Sequence, residues 1–139
     1  MNIDVQRYAR HISLPQVGLE GQRNLSQSSV LVIGAGGLGS PALLYLAAAG
    51  IGHIGIVDDD RVDLSNLQRQ VIHSTAAVGQ PKVESASRRL LELNPGLKVS
   101  TYGVRLGPEN IESILAEGWD VVLDGTDNLP TRYLIDDAC

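Results

Sequence analysis

The tightest constraint on how this chain can fold is a short apolar run, VLVI at residues 30–33, that passes directly into GAGGLG at 34–39 and then into PALLYLAAAG at 41–50. β-Branched residues followed by a glycine loop and a helical apolar stretch read as strand, tight turn and helix. Gly34 suits the turn, Gly36 and Gly37 let a phosphate approach the backbone, and Gly39 lets the helix pack on the strand. The start of that helix then offers unpaired N–H groups and a partial positive charge to an anion. A loop of this kind specifies a nucleotide or dinucleotide and no more.

The rest of the chain alternates in the same way. Residues 54–57 read as a second strand. Residues 81–93 put Val83, Ala86, Leu90 and Leu93 on one helical face, with Pro81 in the first turn and Asn94-Pro95-Gly96 as the stop. A strand is expected over 97–104, a short helix over 108–118, a strand over 119–124 and a further helix from Leu129. This alternation predicts an α/β fold, a Rossmann-like parallel sheet with helices on both faces. Residues 1–29 form an N-terminal helical segment and residues 30–139 the nucleotide-binding domain. Four parallel strands leave an exposed sheet edge and the last helix stops uncapped, so a longer protein is expected, with this chain as its first part.

Composition narrows the partners. The 139 residues carry a net charge of −5 with dispersed acids, which argues against a nucleic-acid surface. The only cysteine is Cys139, so no intrachain disulfide or cysteine zinc site can form, and a reducing cytoplasmic location is expected. No signal-peptide core is visible at the N-terminus. The apolar run from Ala42 to Val57 is broken by Gly50, Gly52, His53 and Gly55, so no membrane span is expected.

The chemistry concentrates in VDDDRVDLSNLQRQ, residues 57–70. Asp58 falls roughly twenty residues past the glycine loop, where a carboxylate can accept bonds from ribose hydroxyls. Asp59 and Asp60 read first as turn residues, with Asp60 a candidate for the site. Ser65, Asn66 and Gln68 supply donors, and Arg69 a planar fork suited to phosphate oxygens. Lys82 stands in the first turn of a helix, where its charge opposes the macrodipole unless an anion is near. Either cation alone reads first as a surface charge; both, following a glycine loop and a ribose acid, point to a nucleoside triphosphate. Asp127 and Asn128 follow the fourth strand in LDGTDN, at the strand ends where open parallel sheets bind ligands. Magnesium takes hard oxygen ligands, which makes Asp127 the metal candidate and Asp124 an anchor of the turn. His11, His53 and His73 have no metal-ligand spacing and read as surface or satisfied residues; Trp119 reads as core.

RYARHI (7–12), GAGGLGS (34–40), DDDRVDLSNLQRQ (58–70), GQPKVESA (79–86), LNP (93–95) and LDGTDN (123–128) occur in one order along the chain. Together they resemble the ThiF/MoeB family of adenylyltransferases, relatives of the ubiquitin-activating enzymes, and HSTAAVGQPKVESA is similar to the MoeB branch. The resemblance implies that ATP and magnesium bind, and that the C-terminal glycine carboxylate of a ubiquitin-like sulfur-carrier protein ending in Gly-Gly is adenylated, with release of pyrophosphate. A sulfur donor then attacks the adenylate, so a sulfurtransferase is a possible partner. It further implies that Asp58 holds the ribose, that Asn66, Arg69 and Lys82 hold phosphates, and that Asp127 meets the metal. Arg10, within the N-terminal segment, matches an arginine extended across a homodimer interface to the partner's triphosphate. Family members continue with two Cys-x-x-Cys pairs for a structural zinc, which this chain does not contain. Two alternatives stay open: a nicotinamide-dependent oxidoreductase, resting on the glycine loop and Asp58, and a non-catalytic nucleotide-binding partner.

Overall fold

The computed structural model describes residues 3–126 and 129–139, and of 129–132 the backbone alone. Two helices, α1 (Ala9–Ile12) and α2 (Gly18–Ser26), lead into β1 (Ser29–Ile33), α3 (Gly39–Ala49), β2 (His53–Val57), α4 (Lys82–Leu93), β3 (Lys98–Tyr102), α5 (Ile111–Leu115), β4 (Val121–Asp124) and α6 (Leu129–Ala138). The four strands make one parallel sheet in the order β3-β2-β1-β4. The expected α/β, Rossmann-like architecture is the one found.

Strand β1 lies inside the sheet with helices on both of its faces, which is why its sequence is an unbroken apolar run. Successive side chains of a strand point to opposite faces. Val30 and Val32 accordingly join Ile54, Ile56 and the α3 and α4 residues Leu43, Ala47, Val83, Ala86 and Leu90 in one buried cluster. Leu31 and Ile33 join Val57, Ile111, Ile114 and Ile135 in the other. Trp119 packs against this second cluster, as its position before the strand implies, and its indole N–H donates to the Ile114 carbonyl.

Two elements are shorter than their sequence patterns. Strand β3 ends at Tyr102 rather than 104, and α5 covers five residues rather than the whole of 108–118. Between them Asn110 organises a turn: its Oδ1 accepts the Gly107 N–H and its Nδ2 donates to the Arg105 carbonyl. A side chain that bonds its own neighbourhood competes with helix and strand alike.

The N-terminal helices are tied to the far ends of α3 and α4 by polar bonds. Asn94, just past α4, donates through Nδ2 to the Ala47 carbonyl at 2.9 Å and to the Tyr8 hydroxyl at 2.8 Å. Buried Gln22 donates to the Ala49 carbonyl and pairs with His11 Nδ1, while Arg7 donates to the Leu93 carbonyl. RYARHI and LNP, far apart in sequence, thus form one corner of the fold. Among the described residues no helix is long and apolar enough to cross a membrane.

Candidate functional site: a cleft at the switch point of the sheet

The chain leaves β1 toward β2 on one side, and β4 pairs with β1 on the other. The strand order reverses there, and the carboxyl ends of β1 and β4 open a crevice. Its floor is backbone on backbone. A Cβ on Gly39 would lie 1.8 Å from the Gly34 carbonyl oxygen, and one on Gly125 would lie 3.1 Å from the Ile33 oxygen and 3.2 Å from Gly39 Cα. Gly34 itself has φ 97°, a value that side chains rarely tolerate. The loops after β1 and β4 can lie this close only without side chains. Above them is a cleft of about 770 Å³ lined by Gly36, Gly37, Asp58, Asp59, Asp60, Asn66, Arg69, Gln70, Lys82 and Arg105, with Val57, Val104 and Leu106 among its apolar residues.

Asp58 is fixed before any ligand arrives. Its Oδ2 accepts the Ala35 N–H of the glycine loop and its Oδ1 accepts the Asp60 N–H, both at 2.8 Å. Each carboxylate oxygen retains acceptor capacity for a ribose hydroxyl. Asp58, Asp59 and Asp60 can each bring one carboxylate oxygen within 4.8 Å of the others. Lys82 offsets that charge: its ammonium lies 3.8 Å from Asp60 Oδ2. Asp60 is well exposed, whereas Lys82 is only 5% exposed, so the buried cation faces the cleft with one distant, solvated partner. A buried ammonium held so loosely is suited to an anion.

The turn at 63–70 is shaped by its own cap. Asp63 Oδ1 accepts both the N–H and the hydroxyl of Ser65, and Asn66 Oδ1 accepts the Asp63 N–H, a reciprocal capping box. The Ser65 bonds hold the Asp63 carboxyl below the usual carboxylate range. With its oxygen turned to the Asp63 N–H, Asn66 keeps an NH₂ group without an acceptor among the described residues and able to donate. Arg69 then runs along the glycine loop, where a Cβ on Gly37 would lie 3.8 Å from its Nε. Gln70, 4% exposed, sits beside Gly36 with its Oε1 buried and unpaired among the described residues.

The structure therefore brings Gly36, Gly37, Asp58, Asp60, Asn66, Arg69 and Lys82 to one cleft. It does not bring Ser65, Gln68 or Arg10 there. Ser65 directs both of its donors to Asp63, Gln68 is exposed on the outside of the turn, and Arg10 is exposed on α1. Asp127 and Asn128 lie outside the described residues. Asp124 anchors its turn, accepting the N–H and hydroxyl of Thr126. Sequence reasoning missed Gln70, Arg105 and Leu106, and of its two readings of His73, surface or satisfied, the structure shows the second. His73 is 6% exposed, with Nε2 3.0 Å from the Ala35 carbonyl and Nδ1 2.7 Å from Ser85 Oγ. Nothing at residue 73 signals this; only the packing of α4 against the glycine loop reveals it.

A parallel sheet with a glycine loop at its switch point and a buried lysine facing that loop's cleft defines a Rossmann-like domain suited to a phosphorylated ligand. The chain belongs to the ThiF family, whose model matches residues 8–139. The motif resemblance drawn from the sequence is borne out. Adenylyltransferase and sulfurtransferase MOCS3-1 of Zea mays is 57% identical over 135 residues, covering 97% of this chain and 29% of that protein. The sulfur carrier protein adenylyltransferase of Thermus thermophilus is 53% identical, covering 97% of this chain and 49% of its own length. Among solved structures, the E. coli tRNA N6-threonylcarbamoyladenosine dehydratase TcdA in complex with ATP superposes with a TM-score of 0.84 at 30% identity, covering 90% of this chain and 51% of that one. The chain spans less than half the length of these two sequence relatives.

Proposed function

We propose that this chain supplies the ATP-binding part of an adenylyltransferase that activates the C-terminal glycine carboxylate of a ubiquitin-like sulfur-carrier protein. The observation that carries the reading is buried Lys82, which shares with Arg69 and the glycine loop a cleft whose ribose acid is already held in place. Such a cleft has two cations for a polyphosphate and one prearranged acceptor for a sugar. The relatives named as sulfur-carrier adenylyltransferases and the neighbour solved with ATP support it.

In this reading Asp58 receives the ribose, while Asn66 NH₂, Arg69 and Lys82 receive phosphate oxygens. The carrier's carboxylate attacks the α-phosphorus; a new P–O bond forms, the bond to the β-phosphate breaks, and pyrophosphate leaves. No general base is required, because the carboxylate is ionised at neutral pH. Catalysis then rests on alignment and on positive charge placed where negative charge gathers. Magnesium would neutralise phosphate oxygens, with Asp127 as its protein contact. In this reading the Asp58–Asp60 cluster is left to other tasks, since Asp58 receives the ribose and Asp60 faces the Lys82 ammonium. A nicotinamide reading shares the glycine loop and Asp58 but gives buried Lys82 no task.

ATP–pyrophosphate exchange by the intact protein with a Gly-Gly-terminated carrier is the test. Exchange that depends on the carrier is expected; none at all rejects the proposal. Arg10 acts across a homodimer in this reading. An Arg10→Ala subunit mixed with a Lys82→Ala subunit should then regain activity in one of the two sites, and a confirmed mixed dimer without activity removes that role.

A further inference from the structure

Three bonds converge on one residue of the glycine loop. The Ala35 N–H donates to Asp58 Oδ2 at 2.8 Å. The Ala35 carbonyl is approached by His73 Nε2 at 3.0 Å and by the Ser40 hydroxyl at 3.4 Å. A carbonyl only accepts, so His73 Nε2 carries its hydrogen and donates. The neutral ring's Nδ1 is then the acceptor for the Ser85 hydroxyl, 2.7 Å away on α4. Burial first, and then the charge of Lys82, push the His73 imidazole below its ordinary range, in keeping with a neutral ring.

The peptide linking Ala35 to Gly36 is trans, so its C=O and N–H point in opposite directions. A carbonyl held toward His73 aims the Gly36 N–H the other way. Gly36 lines the cleft, and the N–H groups of Gly36 and Gly37 find no acceptor among the described residues. A peptide followed by glycine rotates more easily than any other, because no Cβ resists the change. Something outside the loop must select its orientation.

We propose that His73 is the positioning residue that holds the Ala35–Gly36 peptide with its N–H turned into the cleft, so that the loop presents a donor rather than a carbonyl to the ligand's phosphates. The Ala35 carbonyl fixes the ring tautomer and the Ser85 hydroxyl anchors Nδ1, which makes helix α4 the support of both Lys82 and the loop facing it. The inference rests on the nucleotide reading for the identity of the anion, but the peptide orientation is a property of the protein alone.

The test uses the intact protein and the variants His73→Phe and His73→Gln, the second carrying an amide N–H near the place of Nε2. In His73→Phe, affinity for ATP and for pyrophosphate should fall about tenfold, the loss expected for one hydrogen bond to a charged group. Adenosine affinity should hold, and His73→Gln should recover most of the loss. Equal loss of adenosine affinity in His73→Phe would show general damage and overturn the proposal, as would undiminished pyrophosphate affinity. A crystal structure of ligand-free His73→Phe gives an independent reading: the Ala35–Gly36 peptide should be turned or split between two orientations, and an unchanged peptide overturns the inference. Wild-type protein that binds neither ATP nor pyrophosphate would defeat the nucleotide reading, while the peptide orientation would still be decided by that structure.

Discussion

Asn66 shows how a single side chain acquires direction. Its carbonyl oxygen accepts the Asp63 N–H, so the NH₂ end is what a ligand would meet. Asn66→Asp keeps the shape and replaces the donor with a negative charge. ATP affinity should fall further in Asn66→Asp than in Asn66→Ala, measured by calorimetry; the reverse order would mean that Asn66 does not face phosphate. Arg69→Ala and Lys82→Ala should each weaken adenylate formation by about 1–3 kcal/mol, the range for a charge-assisted contact. Unchanged pyrophosphate exchange in both variants would remove them from the site. At this scale, residue type and order made Asp58, Arg69 and Lys82 legible in the sequence. Ser65 and Gln68 misled because a donor's direction depends on local bonding, and Asp63 had already claimed Ser65. Gln70 was illegible because its burial comes from the glycine loop folding over it, which spacing does not encode.

Helix α4 was the most readable element, since three of the four residues named for its apolar face are buried: Val83, Ala86 and Leu90. Leu90 is fully buried against the sheet. Leu90→Ala should cost about 2–5 kcal/mol of unfolding free energy in denaturant titrations. A loss below 1 kcal/mol, by the same scale for buried leucine, would mean that α4 is not packed as described. The capping box gives the turn at 63–70 a pH dependence. Asp63 is held below its usual carboxylate range, so its contribution is complete above the ordinary value and is lost as pH falls through the lowered one. An Asp63→Asn variant should therefore show a shallower loss of stability on acidification than the wild type. The shortened β3 and α5 were less legible, because apolar alternation cannot report that Asn110 will gather 105–110 into a turn.

Across the whole molecule, long-range polar bonds decide what moves with what. Asn94 joins α1 to the end of α3, and removing its amide in Asn94→Ala leaves the buried Ala47 carbonyl without that donor. That carbonyl keeps the Gly50 N–H, so a loss of about 0.5–1.5 kcal/mol per lost bond is expected in thermal or chemical unfolding, the net worth of an ordinary hydrogen bond. At the other end of the fold, Tyr102 donates to Glu117 at 2.5 Å. Burial first, then that bond, push its hydroxyl up to about 12. A group raised in the folded state contributes fully below its unfolded value near 10 and loses that contribution as pH rises through about 12. A late step is therefore expected in an ultraviolet absorbance titration, and Tyr102→Phe should abolish it.

The glycine seam formed by Gly34, Gly39 and Gly125 has a consequence for how such a pocket could diversify. A methyl group on Gly39 collides with main chain and one on Gly34 or Gly125 crowds it; main chain cannot swing aside as a flexible side chain can. Mutational room is therefore unevenly distributed: the base of the pocket is closed to tinkering, while its far rim at Val104–Leu106 carries ordinary side chains on a loop. Adaptation to a bulkier ligand would begin at that rim.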